Sequence, residues 1–162
     1  SLGHQAFAGA RNHFDGDLTL SVLRRQSHPN CYVCAPANGH GLGLEFRVAE
    51  DGAVEATFLC HPAFASYPGM LHGGMICMLL DGAMTNCLFA HGLVAVTADM
   101  NVRFRQPVTV DCPAVVRAWL ESRESPLYRL TAEVSQGGQV AATATARFME
   151  KQAMSWFRKG TP

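Results

Sequence analysis

Residues 71–84 read LHGGMICMLLDGAM. Two glycines behind His72 open a run that stays apolar to Ala90, broken by one carboxylate, Asp81, and later by Asn86. A helix hydrophobic on every face is buried on every face, and Gly92 stands where a left-handed residue would end it, so the pattern predicts a core helix over about 71–91. The run falls short of a spanning length and carries Asp81 and Asn86, which argues against a membrane segment. An ionised acid in such a helix is costly to bury uncompensated, and a catalytic site is one setting that bears the cost.

Outward from this helix the period changes to two. Leu42, Leu44, Phe46 and Val48 alternate with Glu45 and Arg47, a Glu50-Asp51-Gly52 turn follows, and AVEATFL (53–59) alternates again, which predicts a hairpin. After the helix, Val96, Ala98, Met100, Val102 and Phe104 are expected on one face and Thr97, Asp99, Asn101, Arg103 and Arg105 on the other. Three further strands are expected near 114–122, 127–134 and 140–149, the last two joined through Gly137-Gly138. Strand, strand, helix and four strands, with connections short enough for antiparallel neighbours, predict an α+β domain in which one antiparallel sheet wraps a single apolar helix. Residues 1–27 show weak helical patterning and read as an arm or short helix. The expected division is an N-terminal arm with a Cys-x-x-Cys loop (1–40), the main domain (41–151) and a C-terminal tail (152–162), frayed from Ser155.

The 162 residues, 48% of them hydrophobic, suffice for one core. Thirteen basic residues balance thirteen acidic ones, so no net field favours nucleic acid or an anionic membrane. No basic start with an apolar leader is visible. Cys60, Cys77, Cys87 and Cys112 each sit singly among apolar neighbours, as reduced core thiols do, and a cytoplasmic location is expected.

The run HGGMICMLLDGAM, followed by TADMNVRFRQPV on the next strand, resembles the hotdog-fold acyl-CoA thioesterases of the phenylacetate-pathway and human thioesterase-superfamily-member type. The likeness extends over about 41–150 in element order, and its specific part lies within 67–108. It implies a hotdog fold and hydrolysis of an acyl- or aryl-acyl-CoA thioester, with coenzyme A as part of the substrate and no cofactor required. By resemblance Asp81 is the general base or nucleophile, the Gly73 amide polarises the thioester carbonyl, His72 is the motif histidine, and Thr97 helps hold the attacking water. Ser66 stands where some relatives carry Asn or Gln, a departure that weakens that contact. Arg103 and Arg105 are candidates for the CoA phosphates.

Part of this chemistry follows without the family. The free amides and dipole of a helix's first turn can stabilise a developing oxyanion, and Gly73 and Gly74 let a substrate approach them. The bland alternatives are that Asp81 caps a loop or pairs with Arg103 or Arg105, and that His72 merely begins the helix. Nine residues separate His72 from Asp81, which puts them on opposite faces and about 13 Å apart along the axis; Gly73 lies about 12 Å and 80° from Asp81. Two halves of one site at that separation call for a second, antiparallel copy of the helix, so a homodimer or a homotetramer is expected.

HPNCYVCAPANGH offers His28, Cys31, Cys34 and His40 as possible zinc ligands. The preferred reading is a loop without metal, ahead of the first strand and away from the helix motif. Two other functions remain. A hotdog dehydratase or hydratase would use His61 with Asp81 for proton transfer, although twenty positions separate them. A non-catalytic acyl-CoA-binding domain would not need Asp81. Met75, Met78, Met84 and Phe89 could line an acyl pocket, but methionines on a buried helix are usually core.

Overall fold

The computed structural model describes residues 3–154, with side chains from residue 15 onward; the tail expected to fray from Ser155 lies outside these. The elements are α1 (Gly3–Ser27), β1 (Arg47–Val48), β2 (Val54–Leu59), a single 3-10 turn (Pro62–Phe64), α2 (Gly73–Ala90), β3 (Ala95–Phe104), β4 (Pro113–Glu124), β5 (Leu127–Gln136), β6 (Gln139–Glu150) and a last 3-10 turn (Lys151–Ala153). The six strands form one antiparallel sheet in the order β1-β2-β4-β5-β6-β3. α2 crosses its inner face, where Val54, Val116, Leu130, Val134 and Phe148 meet Leu79, Leu80, Met84 and Leu88, all essentially buried. This is the expected hotdog architecture.

α2 has defined ends. His72 is its N-cap, extended at φ −60° and ψ 133°, with its side chain accepting from the Gly74 amide. At the other end Gly92 adopts φ 74°, Leu93 N–H donates to Leu88 O at 2.9 Å and Gly92 N–H to Phe89 O at 3.0 Å, a Schellman closure. By length and composition α2 could cross a membrane, yet 61% of that stretch is buried inside the fold. It is the core helix.

Four expectations need correction. The N-terminal arm is a 25-residue helix, and its C-terminal half packs against α2 through buried Leu20. Of the alternating stretch 42–48 only Arg47–Val48 joins the sheet; Leu42 and Leu44 donate instead to Tyr32 O and Val33 O, at 2.7 and 2.8 Å, so the segment pairs with the loop before it. Consecutive β3 and β4 are not neighbours: β3 pairs with β6 at one edge, and β4 lies between β2 and β5. Cys112 is exposed and Cys77 half-buried, whereas Cys60 and Cys87 are buried.

The long way from β3 to β4 positions the start of α2. Residues 105–112 cross the sheet end, with Val108 O accepting from Leu71 N–H and Cys60 O from Asp111 N–H, both at 2.8 Å. Gln136 braces the crossing through bonds to Thr109 N and O and to Cys112 O.

Candidate active site

The first turn of α2 opens onto an apolar cleft of about 430 Å³ lined by Ser66, Tyr67, Gly73, Ile76, Phe104 and Arg105, among others. His72 Nδ1 accepts from Gly74 N–H at 2.8 Å, and His72 O accepts from Met75 and Ile76. Gly73 N–H is therefore the first-turn donor left without an acceptor among the described residues. With Nδ1 accepting, neutral His72 carries its proton on Nε2. A Cβ on Gly73 would lie 3.6 Å from the Phe104 ring, so this wall is close but not closed. Tyr67 and Phe104, 73% and 54% exposed, are cleft residues that the sequence reading did not single out. Both lie within the 67–108 stretch, where an aromatic side chain was the only signal for either.

Asp81 lies two turns further along α2, and Thr97 Oγ1 donates to its Oδ1 at 2.5 Å. The sheet register explains the contact. A bulge between Thr97 and Asp99 leaves Ala98 as the extra residue, so Thr97 pairs with buried Phe148 and shares the helix-facing side with Met100, while Asp99 pairs with Arg147 on the outer side. Strict alternation had put Thr97 on the face opposite Met100; the bulge reverses it.

Burial pushes the Asp81 carboxyl above the usual carboxylate range, the Thr97 bond and the nearby His28 draw it part of the way back, and Cys31 adds to the rise. Among the described residues the ion pairs join Arg117 to Asp51 and Glu55, and Arg147 to Asp99. Asp81 thus has no arginine beside it, and the pairing alternative with Arg103 or Arg105 is not what the structure holds.

The 28–34 loop lies closer to this acid than expected. It packs on α2 so tightly that a Cβ on Gly82 would come within 2.7 Å of Val33 Cγ1, and both His28 and Cys31 act electrostatically on Asp81. His28, Cys31 and Cys34 converge, their ligand atoms within 4.8 Å of one another, whereas His40 is not among them.

The candidate residues thus fall into two groups. Ser66, Gly73 and Arg105 meet at the start of α2, with His72 and Gly74 forming the cap; Asp81 and Thr97 meet at its middle. Arg103 is exposed on β3 and outside the cleft lining. His61 serves as N-cap of the 3-10 turn, its Nδ1 accepting from Ala63 N–H at 2.9 Å, which gives it a structural task away from the dehydratase reading. Met84 and Phe89 are fully packed core, and Met75 and Met78 are half-buried against it.

Residues 68–143 match the family model of the thioesterase superfamily. The acyl-coenzyme A thioesterase THEM4 of Bos taurus is 30% identical over 87 residues, 52% of this chain and 35% of that protein. The chain thus spans about a third of the curated relative it matches. Among solved structures, a phenylacetic acid degradation-related protein from Ralstonia eutropha JMP134 superposes with TM-score 0.65 at 29% identity, covering 81% of this chain and 98% of that one. A Streptococcus mutans UA159 protein with acetyl-CoA bound superposes with TM-score 0.61 at 20% identity, over 65% of this chain and 86% of that one, which speaks for the fold. Over residues 68–143 the chain thus resembles the thioesterase superfamily, and the sheet-wrapped helix around that stretch has the hotdog fold.

Proposed function

We propose that the chain hydrolyses the thioester of an acyl- or aryl-acyl-CoA. The observation that carries the reading is Asp81, a carboxylate with no cationic side chain paired to it among the described residues, set in an apolar helix and held by Thr97. A raised carboxyl is a better base than an ordinary one. Asp81 takes the proton of a water oriented with Thr97, the water oxygen attacks the thioester carbon, and the oxyanion is met by Gly73 N–H at the positive end of α2. Collapse breaks the C–S bond, leaving a carboxylic acid and the CoA thiol. The same carboxylate could instead attack directly, forming an anhydride that water then cleaves.

One copy does not bring both ends of this reaction to a single substrate. Eight residues of helix separate Gly73 from Asp81, about 12 Å along the axis. The half-exposed stripe of α2 carries Gly74, Met78 and Asp81, and among the described residues no strand lies beside the outer edge of β3. In our reading a second copy covers that stripe, so that each site joins the helix start of one chain to Asp81 of the other. The acyl-CoA thioesterase relative and the neighbour with acetyl-CoA bound support the substrate class. The six free thiols are in keeping with the cytoplasmic setting we propose.

The test is a screen of aryl, short, medium and long acyl-CoAs for release of free CoA, with a substrate-free thiol blank because the chain has six cysteines. Wild type should turn over at least one class and Asp81→Asn should not. Enoyl-CoA hydration without CoA release, or binding without turnover, would point to the other hotdog activities instead.

A further inference from the structure

The loop following α1 assembles a donor set that the thioesterase chemistry does not use. His28 follows the last residue of α1 directly, its N–H bonded to Arg24 O at 2.8 Å. Cys31 and Cys34 lie on one tight turn closed by Ala35 N–H to Cys31 O at 3.0 Å, which turns both sulfurs to the same side. His28 Nδ1 and Cys34 Sγ are 3.6 Å apart. Tetrahedral zinc with ordinary Zn–N and Zn–S bonds sets two such ligands about 3.5 Å apart, so this edge already has the spacing that coordination requires.

Three further observations point to the same place. The three ligand atoms lie within 4.8 Å of one another and belong to residues that are buried or half-buried. Asn86, fully buried on α2 beside Cys34, gives its Nδ2 to Gly82 O, but its Oδ1 has no partner among the described residues. A buried amide oxygen left unpaired costs stability, and a water on a metal beside it would supply the missing donor. Finally, Cys34 forms part of the wall of a cleft of about 570 Å³ between α1 and the 43–47 segment, a route by which an ion could reach the turn.

We propose that His28, Cys31 and Cys34 bind one zinc-class transition-metal ion tetrahedrally, with water as fourth ligand, pinning the end of α1 and the 28–34 loop onto α2. Soft thiolates with an imidazole select zinc or cobalt(II) over hard cations. Binding forms two metal–sulfur bonds and one metal–nitrogen bond, and the thiol protons leave to solvent. The site is independent of the thioesterase reading and is tested without reference to activity.

The probe is cobalt(II) chloride added to the full chain, chelator-stripped and kept under a non-coordinating reductant. Thiolate-to-cobalt charge-transfer absorption and the intense visible bands of a tetrahedral centre should saturate at about one ion per chain, and zinc should displace them. Cys31→Ser with Cys34→Ser should abolish the bands, His28→Gln should weaken binding by at least about tenfold, and His40→Ala should bind as wild type does. Circular dichroism on each variant separates a lost ligand from a lost fold, and the wild-type titration decides by itself whether a site exists. Reduced wild type with no thiolate band, or a folded double-serine variant that binds as well as wild type, overturns the proposal. So does a chain isolated as a Cys31–Cys34 disulfide that still gives no band once reduced.

Discussion

The two ends of the proposed chemistry lie on one helix in opposite surroundings. The first turn of α2 is open, with a free Gly73 amide beside a solvent-connected apolar cleft; the middle is walled in by β3 on one side and by the 28–34 loop on the other. An oxyanion donor works from a backbone position that needs no ionisation and tolerates exposure. A base gains from burial, which raises its proton affinity, as it does for Asp81. One apolar helix serves both needs because its end and its middle differ in access to water.

The largest effect should come from the middle. Asp81→Asn keeps the shape and removes the charge, and kcat should fall by at least about a hundredfold with the circular dichroism spectrum unchanged. Near wild-type turnover in the folded variant would remove Asp81 from the chemistry.

At the helix start, Gly73→Pro deletes the amide proton alone. Gly73 occupies the first helical position, where proline is tolerated, His72 already has the extended ψ that a following proline demands, and a Cβ there makes only ordinary contact with Phe104. Loss of an oxyanion donor should lower kcat by about a hundredfold, with KM changed far less. A raised KM at unchanged kcat would make the cleft a binding surface and nothing more.

Mixing these two inactive chains by joint unfolding and refolding breaks the comparison in another way. If each site draws its start from one chain and its acid from the other, a heterodimer has one site with both lesions and one with none, and random pairing should restore about a quarter of wild-type activity. Heterodimers verified by mass, yet no more active than their parents, would show that the sites do not cross chains.

The smallest effect concerns Thr97. Thr97→Val removes the bond that lowers the Asp81 pKa, so the acid limb of the pH–kcat/KM profile should move to higher pH, with turnover at neutral pH reduced by about tenfold or less. The sign follows from the role: Asp81 must be ionised to act, and activity is lost as pH falls through its pKa. A limb that stays in place would mean that Thr97 does not touch the working carboxylate.

Much of this could be read along the chain. The alternation in β4, β5 and β6, the left-handed Gly137-Gly138 turn and the largely apolar run of α2 are local patterns, and each element forms where its pattern lies. Asp81 stood out because a lone charge in an apolar helix is conspicuous in one dimension. What stayed hidden depends on register or on distant neighbours. A single extra residue at Ala98 moves Thr97 to the other side of the sheet, and alternating residues cannot announce it. Leu44 and Phe46 alternate as strand residues do, but their buried places are set by packing against the 31–34 loop and α2, without a sheet partner. The nearness of His28 and Cys31 to Asp81 arises only once the loop seats Val33 on Gly82.

The placement of β3 at the sheet edge carries a consequence for the order of assembly. Its sole ladder partner is β6, which ends at Glu150, so Thr97 has no sheet to stand on until nearly all of the domain has been synthesised. β2, β4 and β5 can pair and receive α2 earlier, whereas the bulge that carries Thr97 to Asp81 waits for the last strand, because a contact spanning so much chain must first meet its loop-closure entropy. The contact between Thr97 and Asp81 is then among the last features of the domain to form. A nascent or truncated chain lacking β6 would carry Asp81 on α2 without the strand register that brings Thr97 to it.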